Sequence, residues 1–245
     1  MNDLNPEAFG LTKIQLMVLM TPVILFSLTI HEYSHGRMAL FLGDNTAQRL
    51  GRLSFNPLRH IDIAGVLCFY FVHFGWAKPV PVDWKNFQNP RRDMMYVAIA
   101  GPLSNIVLAV FCSFFIRVIP IDFSSLDAVL SSSSPYPPEL IHYLFVILAY
   151  GVSINVLLAT FNMLPIFPLD GSNVLKGMVP ANMAERLKAM DRFGAFLILG
   201  VILMDQFANT GIIGAILMYP INYSVLFLSQ ETFPMIIKVL VLSFG

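Results

Sequence analysis

The sequence predicts an all-α polytopic membrane protein, a bundle of about five to six transmembrane helices with a small re-entrant or β-hairpin element on the cytoplasmic side. Three observations point there. The 245 residues are 56% hydrophobic and only 12% charged, against roughly 25% charged in a soluble domain. Several apolar runs approach or exceed the ~20 residues that a helix needs to cross the hydrocarbon layer. Basic residues crowd into two of the polar stretches between these runs and are absent from two others, the loop asymmetry of a multi-pass chain. A formal net charge of zero gives no reason to expect a nucleic-acid partner. Cys68 and Cys112 both lie in apolar stretches, where free thiols behave as small buried hydrophobes and not as a disulfide framework.

Residues 1–10 are mostly polar and read as an extracytoplasmic tail. No small-x-small cleavage site follows the first apolar run, so a removable signal peptide is not expected and residue 1 is read as the mature start. A long helix covers 11–42 and stops at Gly43-Asp44-Asn45. Residues 44–92 form a cytoplasmic, partly re-entrant segment that carries seven of the fifteen basic residues, interleaved with Pro57, Pro79, Pro81 and Pro90. Within it the apolar run 63–74 is too short to span as a helix and suits a re-entrant piece. Residues 75–82, with prolines at alternate positions, favour an extended edge that a substrate strand could join; a rigid loop with Trp76 as an interface anchor is the competing reading.

A second span covers 94–119. Its Gly101-Pro102 pair implies a kink or a close helix approach, and Asn105 is placed to bond across helices. Residues 120–138 hold Asp122, Asp127 and a serine run but no Lys or Arg, and form a loop on the opposite side. The third span is 139–165. A basic cytoplasmic connector, 171–192, carries Lys176, Arg186, Lys188 and Arg192, and two further spans fill 193–228. The run 193–204 is short for a span, so its helix is expected to begin inside the connector. Residues 233–245 are apolar and receive no assignment. The positive-inside bias puts 44–92 and 171–192 in the cytoplasm and the amino terminus outside, in a bacterial or archaeal cell membrane.

The chemistry sits in the first helix, at His31-Glu32-Tyr33-Ser34-His35. Side chains four apart stand one above the other on a helix, so the two imidazoles can grip one metal ion. Glu32 falls about 100° around the helix from His31, where it can act as general base on a water without itself being a ligand. Three ionisable groups that continue an apolar helix are costly in lipid and mark a functional site. Catalytic zinc usually has three protein ligands and one open position, so a third is needed. Of the acidic residues beyond the first helix, Asp170 combines an apolar approach, a proline-broken backbone and a following glycine. Pro-Leu-Asp-Gly also reads as an ordinary turn; the unfilled histidine pair tips Asp170 toward a ligand.

With His31-Glu32-x-x-His35 on one helix and Asn162-Met163-Leu164-Pro165 leading to Leu169-Asp170-Gly171 on a later one, the chain resembles the site-2 protease family of membrane-embedded metalloproteases. Gly101-Pro102-Leu103-Ser104-Asn105 and the stretch 56–62 resemble it too. The resemblance implies that His31, His35 and Asp170 bind Zn2+, that Glu32 activates water, and that Asn162 lies by the site to hold the substrate or the developing oxyanion. It implies hydrolysis of transmembrane protein substrates within the lipid bilayer, with a regulatory membrane partner as a further expectation; the loop charges put the end of the metal helix, and so the site, toward the cytoplasmic side. The chain has no inserted domain of the PDZ kind that some relatives carry. The rival expectation is a divalent-metal transporter or metal sensor, which would want acidic or histidine residues along a pore; an inactive scaffold is a third, opposed by an intact Glu32. The remaining histidines are scattered: His142 reads as a helix-end residue, His73 as an interface residue, and His60 with Asp62 as a structural pair. The thirteen methionines read as packing.

Overall fold

A computed structural model of the chain describes residues 9–65, 68, 75–208 and 212–244. Helix α1 (Lys13–Phe41) starts at Thr12, whose hydroxyl accepts the Gln15 N–H while the Gln15 side chain accepts the Thr12 N–H, a reciprocal cap that satisfies two orphan donors. Its 29 residues give a rod of about 43 Å, longer than the ~30 Å hydrocarbon layer. Gly43, at φ +108°, turns the chain out of the helix. The fully buried Asp44 then ties this end down: its carboxylate accepts from the Thr46 and Asp83 backbone N–H groups, the Thr46 hydroxyl and the Asn86 amide. Burial opposes ionisation of Asp44, but these four donors outweigh it and hold its carboxyl below the usual carboxylate range.

A single turn, α2 (Thr46–Arg49), leads to short 3-10 turns at Pro57–Arg59 and Trp84–Asn86, the first capped by Asn56 and the second by Asp83. Between them Ile61 and Ala77 make an isolated antiparallel bridge, and the Lys78 N–H donates to the His60 carbonyl at 2.8 Å. The described residues contain no strand, so the expected hairpin is seen only as this bridge. Pro79 and Pro81 lack the N–H that would extend it. Most of the expected re-entrant run, and His73 with it, lies outside the described residues.

Helix α3 (Pro90–Val118) begins with proline, whose missing N–H costs nothing there. The buried Asp93 accepts the Asn89 N–H at 3.0 Å. Val97, Gly101, Asn105, Ala109 and Ser113 recur every four residues and are all buried; this stripe of mostly small side chains lets α3 approach its neighbours closely. After α4 (Phe123–Leu130), α5 (Leu140–Asn162) returns across the bundle and packs against both α1 and α3. A short helix, α6 (Asp170–Met178), lies against α3. The second half of the basic connector and the short apolar run after it form one helix, α7 (Ala181–Ala208), as expected for a helix that begins inside the connector; α8 (Ile212–Ser229) and α9 (Phe233–Phe244) follow.

The apolar core centres on Tyr150 and Phe145 of α5, packed with Leu16 and Met20, Ile116, Leu126 and Ile236. Large apolar side chains such as Phe111 and Phe114 remain exposed on α3, as a lipid-facing surface requires. Four helical segments among the described residues are long and apolar enough to cross a membrane: Lys13–Phe41, Pro90–Val118, Leu140–Asn162 and Pro220–Ser243. The chain is thus an all-α integral membrane protein. The Phe9 N–H donates to the Ser134 carbonyl at 2.9 Å, so the start of the described chain and the loop after α4 share one end of the bundle. Residues 233–244, unassigned from sequence, are helical and anchored: Lys238 pairs with Asp127 of α4, and Ser243 bonds Tyr150.

Candidate metal centre

Ser27, His31, His35 and Ala39 are buried at four-residue intervals along α1, a polar stripe turned into the bundle where α3 and α6 meet it. The His35 Nε2 and His31 Nε2 atoms stand 3.0 Å apart. Asp170, the first residue of α6, brings its Oδ2 to 3.2 Å from His31 Nε2 and 3.3 Å from His35 Nε2. A glycine after Asp170 is required because a Cβ at Gly171 would lie 2.3 Å from the Met163 carbonyl oxygen. On the facing helix a Cβ at Gly101 would lie 2.4 Å from His35 Nε2 and 2.7 Å from His31 Cε1, so only glycine lets α3 pass this close.

Both ring Nδ1 atoms are engaged on their far sides. His35 Nδ1 lies 2.7 Å from the Val97 carbonyl, which can only accept, so this nitrogen carries hydrogen. His31 Nδ1 lies 2.6 Å from Asn105 Oδ1 and donates to it. In neutral rings the two Nε2 atoms then present lone pairs, and Asp170 Oδ2 is buried with no hydrogen-bond donor of its own. Three acceptors aimed at one point repel one another unless a cation lies between them. Bonds of 2.0–2.1 Å in a tetrahedral zinc site place ligand atoms about 3.3–3.4 Å apart, close to the separations found here. The three residues fit a zinc ion, with Val97 and Asn105 orienting the imidazoles from behind. Among the described residues His31, His35 and Asp170 are the group of three side chains gathered to hold a metal.

Glu32 points to the extended segment: its Oε2 accepts the Val80 N–H at 2.8 Å. Arg52 Nη2 reaches the carbonyls of Lys78 and Pro79 at 2.9 and 3.2 Å and so also pins that segment. Asn162, half-buried at the end of α5, donates its amide to the Leu158 carbonyl at 2.9 Å. The other sequence candidates play local parts. His142 Nδ1 accepts the Glu139 N–H and its Nε2 meets Ser125 Oγ at the start of α5. His60 bonds the Ser54 carbonyl, whereas Asp62 caps Ala64 and Gly65, so the two do not pair.

Sequence reading anticipated that Asn105 bonds across helices but not that His31 is its partner, and it passed over Asn155 and the Val80 amide. A signal for Asn155 exists: Gly151-Val152-Ser153-Ile154-Asn155 repeats the Gly-x-x-x-Asn spacing of Gly101–Asn105. Main-chain donors such as Val80 N–H carry no signature.

The sequence model described as Peptidase family M50 matches residues 19–204 of this chain. A protein named as a zinc metalloprotease, YwhC of Bacillus subtilis (strain 168), is 33% identical over 197 residues, 80% of this chain and 85% of its own length. No solved structure matches the chain.

Proposed function

This chain belongs to peptidase family M50, the site-2 protease family of membrane zinc metalloproteases, and from that premise we propose that His31, His35 and Asp170 hold its zinc, that Glu32 is the general base, and that the substrates are cut within or near their transmembrane segments. The observation that carries the assignment is the convergence of two imidazole Nε2 atoms and an undonated, buried carboxylate oxygen within 3.0–3.3 Å of one another.

Held by His31, His35 and Asp170, zinc would supply polarisation of the scissile carbonyl and would bring the pKa of an attacking water to about 7. Glu32 takes the proton of that water as its oxygen bonds to the carbonyl carbon, and returns a proton to the amine as the C–N bond breaks. The Val80 N–H occupies Oε2, which leaves Oε1 to move the proton. The peptide bonds of a substrate helix are shielded by their own hydrogen bonds, so the helix must unwind before it is cut. Residues 78–82 are our candidate for holding the unwound stretch, because Val80 sets that backbone against the general base. Asn162 is assigned to substrate or oxyanion binding on the family resemblance alone.

The basic loops 44–92 and 171–192 favour a cytoplasmic site in a bacterial or archaeal cell membrane. Helices α7 and α8 would complete a bundle of five to six spans around the core of 11–42, 94–119 and 139–165. A metal-transport reading would need a file of ligands through the bundle, and the described residues gather only this one cluster. The test is Glu32→Gln with a model transmembrane peptide: cleavage falls by about 10²–10⁴-fold with zinc still bound. Cleavage at the wild-type rate would remove Glu32 from the reaction.

A further inference from the structure

Behind His31 a chain of buried side chains crosses three helices. Asn105 of α3, whose oxygen meets His31 Nδ1, donates its amide to Asn155 Oδ1 of α5 at 2.7 Å, with the Ser27 carbonyl at 3.4 Å. Asn155 in turn donates to the Gly151 carbonyl at 2.8 Å and to Ser27 Oγ at 2.9 Å. Ser27, Asn105 and Asn155 are at most 2% exposed. Polar side chains in the apolar heart of a membrane bundle need a compensating role, and none of these three is among the metal-gathering residues.

The direction of the chain follows from its far end. A backbone carbonyl can only accept, so the Gly151 carbonyl fixes the amide nitrogen of Asn155 toward it and turns the Asn155 oxygen to Asn105. Asn105 must then present nitrogen to Asn155 and oxygen to His31. His31 Nδ1 is left with one role, that of donor, and its Nε2 lone pair faces His35 Nε2 and Asp170 Oδ2. His35 obtains the same tautomer in one step, from the Val97 carbonyl. His31 has no carbonyl at Nδ1 and reaches carbonyls only through asparagines: that of Ser27 through Asn105 by a long 3.4 Å contact, and that of Gly151 through Asn105 and Asn155 by bonds of 2.7 and 2.8 Å.

We propose that Asn155 is a remote positioning residue for the zinc site, setting the tautomer and ring orientation of His31 through Asn105. The proposal rests on the reading of His31 as a metal ligand. Removal of a partner behind a zinc-bound histidine costs about 10–100-fold in metal affinity. That loss should appear for Asn155, which lies two hydrogen bonds from the imidazole.

The test measures zinc affinity by chelator competition on the detergent-purified wild type, Asn105→Leu, Asn155→Leu and the double variant. Alongside it, 15N NMR reads the histidine tautomers of the metal-free proteins at a pH where the rings are neutral, with His31 assigned by comparison with His31→Gln. The relay predicts a wild-type His31 protonated at Nδ1, a mixed tautomer and about 10–100-fold weaker zinc binding in Asn155→Leu, and a double variant no weaker than Asn105→Leu. His35 keeps its tautomer throughout. Wild-type affinity and tautomer in Asn155→Leu overturn the relay, as do losses that add in the double variant. Should a variant fail to fold, the wild-type spectrum decides, because His31 protonated at Nε2 contradicts the chain of donors. A wild type that binds no zinc yet shows Nδ1–H at His31 would instead count against the metal-site reading and leave the relay standing.

Discussion

The Val80 amide is the donor that orients Glu32, the proposed general base. A carboxylate with both oxygens free would rotate; with Oε2 held at 2.8 Å, Glu32 keeps one oxygen for the proton. A hydrogen bond to a charged group contributes about 1.5–3 kcal/mol, which corresponds to roughly 10–100-fold in rate if it is made fully in the transition state. Val80→Pro removes the N–H while suiting an extended backbone already flanked by Pro79 and Pro81. Its kcat should fall by about tenfold with zinc content unchanged, as read by single-turnover cleavage and metal analysis. An unchanged kcat would mean that the contact is bystander packing. At this scale the sequence announces what helical spacing places together, and so His31, Glu32 and His35 could be read directly. Asp170 could be read only as the residue a histidine pair lacks. Asn155 and the Val80 amide stayed hidden, because their partners lie 50 and 48 positions away along the chain and nothing local encodes that distance.

Elements meet at the site because their facing residues are small. Gly101 is where the α3 backbone passes the Nε2 side of the imidazoles, and Gly101→Ala would drive a methyl into His35 Nε2 at 2.4 Å. The expected result is zinc affinity lower by about tenfold or more, with far-UV circular dichroism unchanged; full affinity would show that the rings have room to give. At the end of α1, Asp44 performs the corresponding task in the loop region by joining the helix to the turn at Trp84–Asn86. Asp44→Ala leaves the Thr46, Asp83 and Asn86 donors unpaired and should cost about 1–3 kcal/mol, measured as a drop in Tm. Because the folded pKa of Asp44 is depressed, its contribution is complete above the ordinary carboxylate pKa and is lost as pH falls through the folded value. The Tm gap between wild type and Asp44→Asn should therefore close in acid; a gap that persists at the lowest pH would contradict the ionised form. Apolar runs make α1, α3 and α5 legible in the sequence. The extended segment is legible only as extended, since prolines that favour such a backbone also prevent a ladder, and one bridge is what forms.

At the scale of the molecule, three long helices carry a site that none could form alone: α1 supplies the histidines and Glu32, α3 closes on them through Gly101 and Asn105, and α5 anchors Asn105 and leads to the turn that delivers Asp170. The fold class follows from composition and loop charge, whereas the placement of Asp170 follows from how α6 lies against α3, which no local pattern specifies. Metal and bundle should therefore be linked. Zinc binds the folded state and not the dispersed ligands, so its removal by a chelator lowers Tm, and Tm rises again with added zinc. The most direct measurement is zinc per chain in the purified protein, wild type beside Asp170→Ala, with cleavage of a model transmembrane peptide followed in both. The predicted result is one zinc in the wild type, lost together with cleavage in the variant. Zinc retained and peptide still cut in Asp170→Ala would contradict the three-residue site and return Asp170 to the status of a turn.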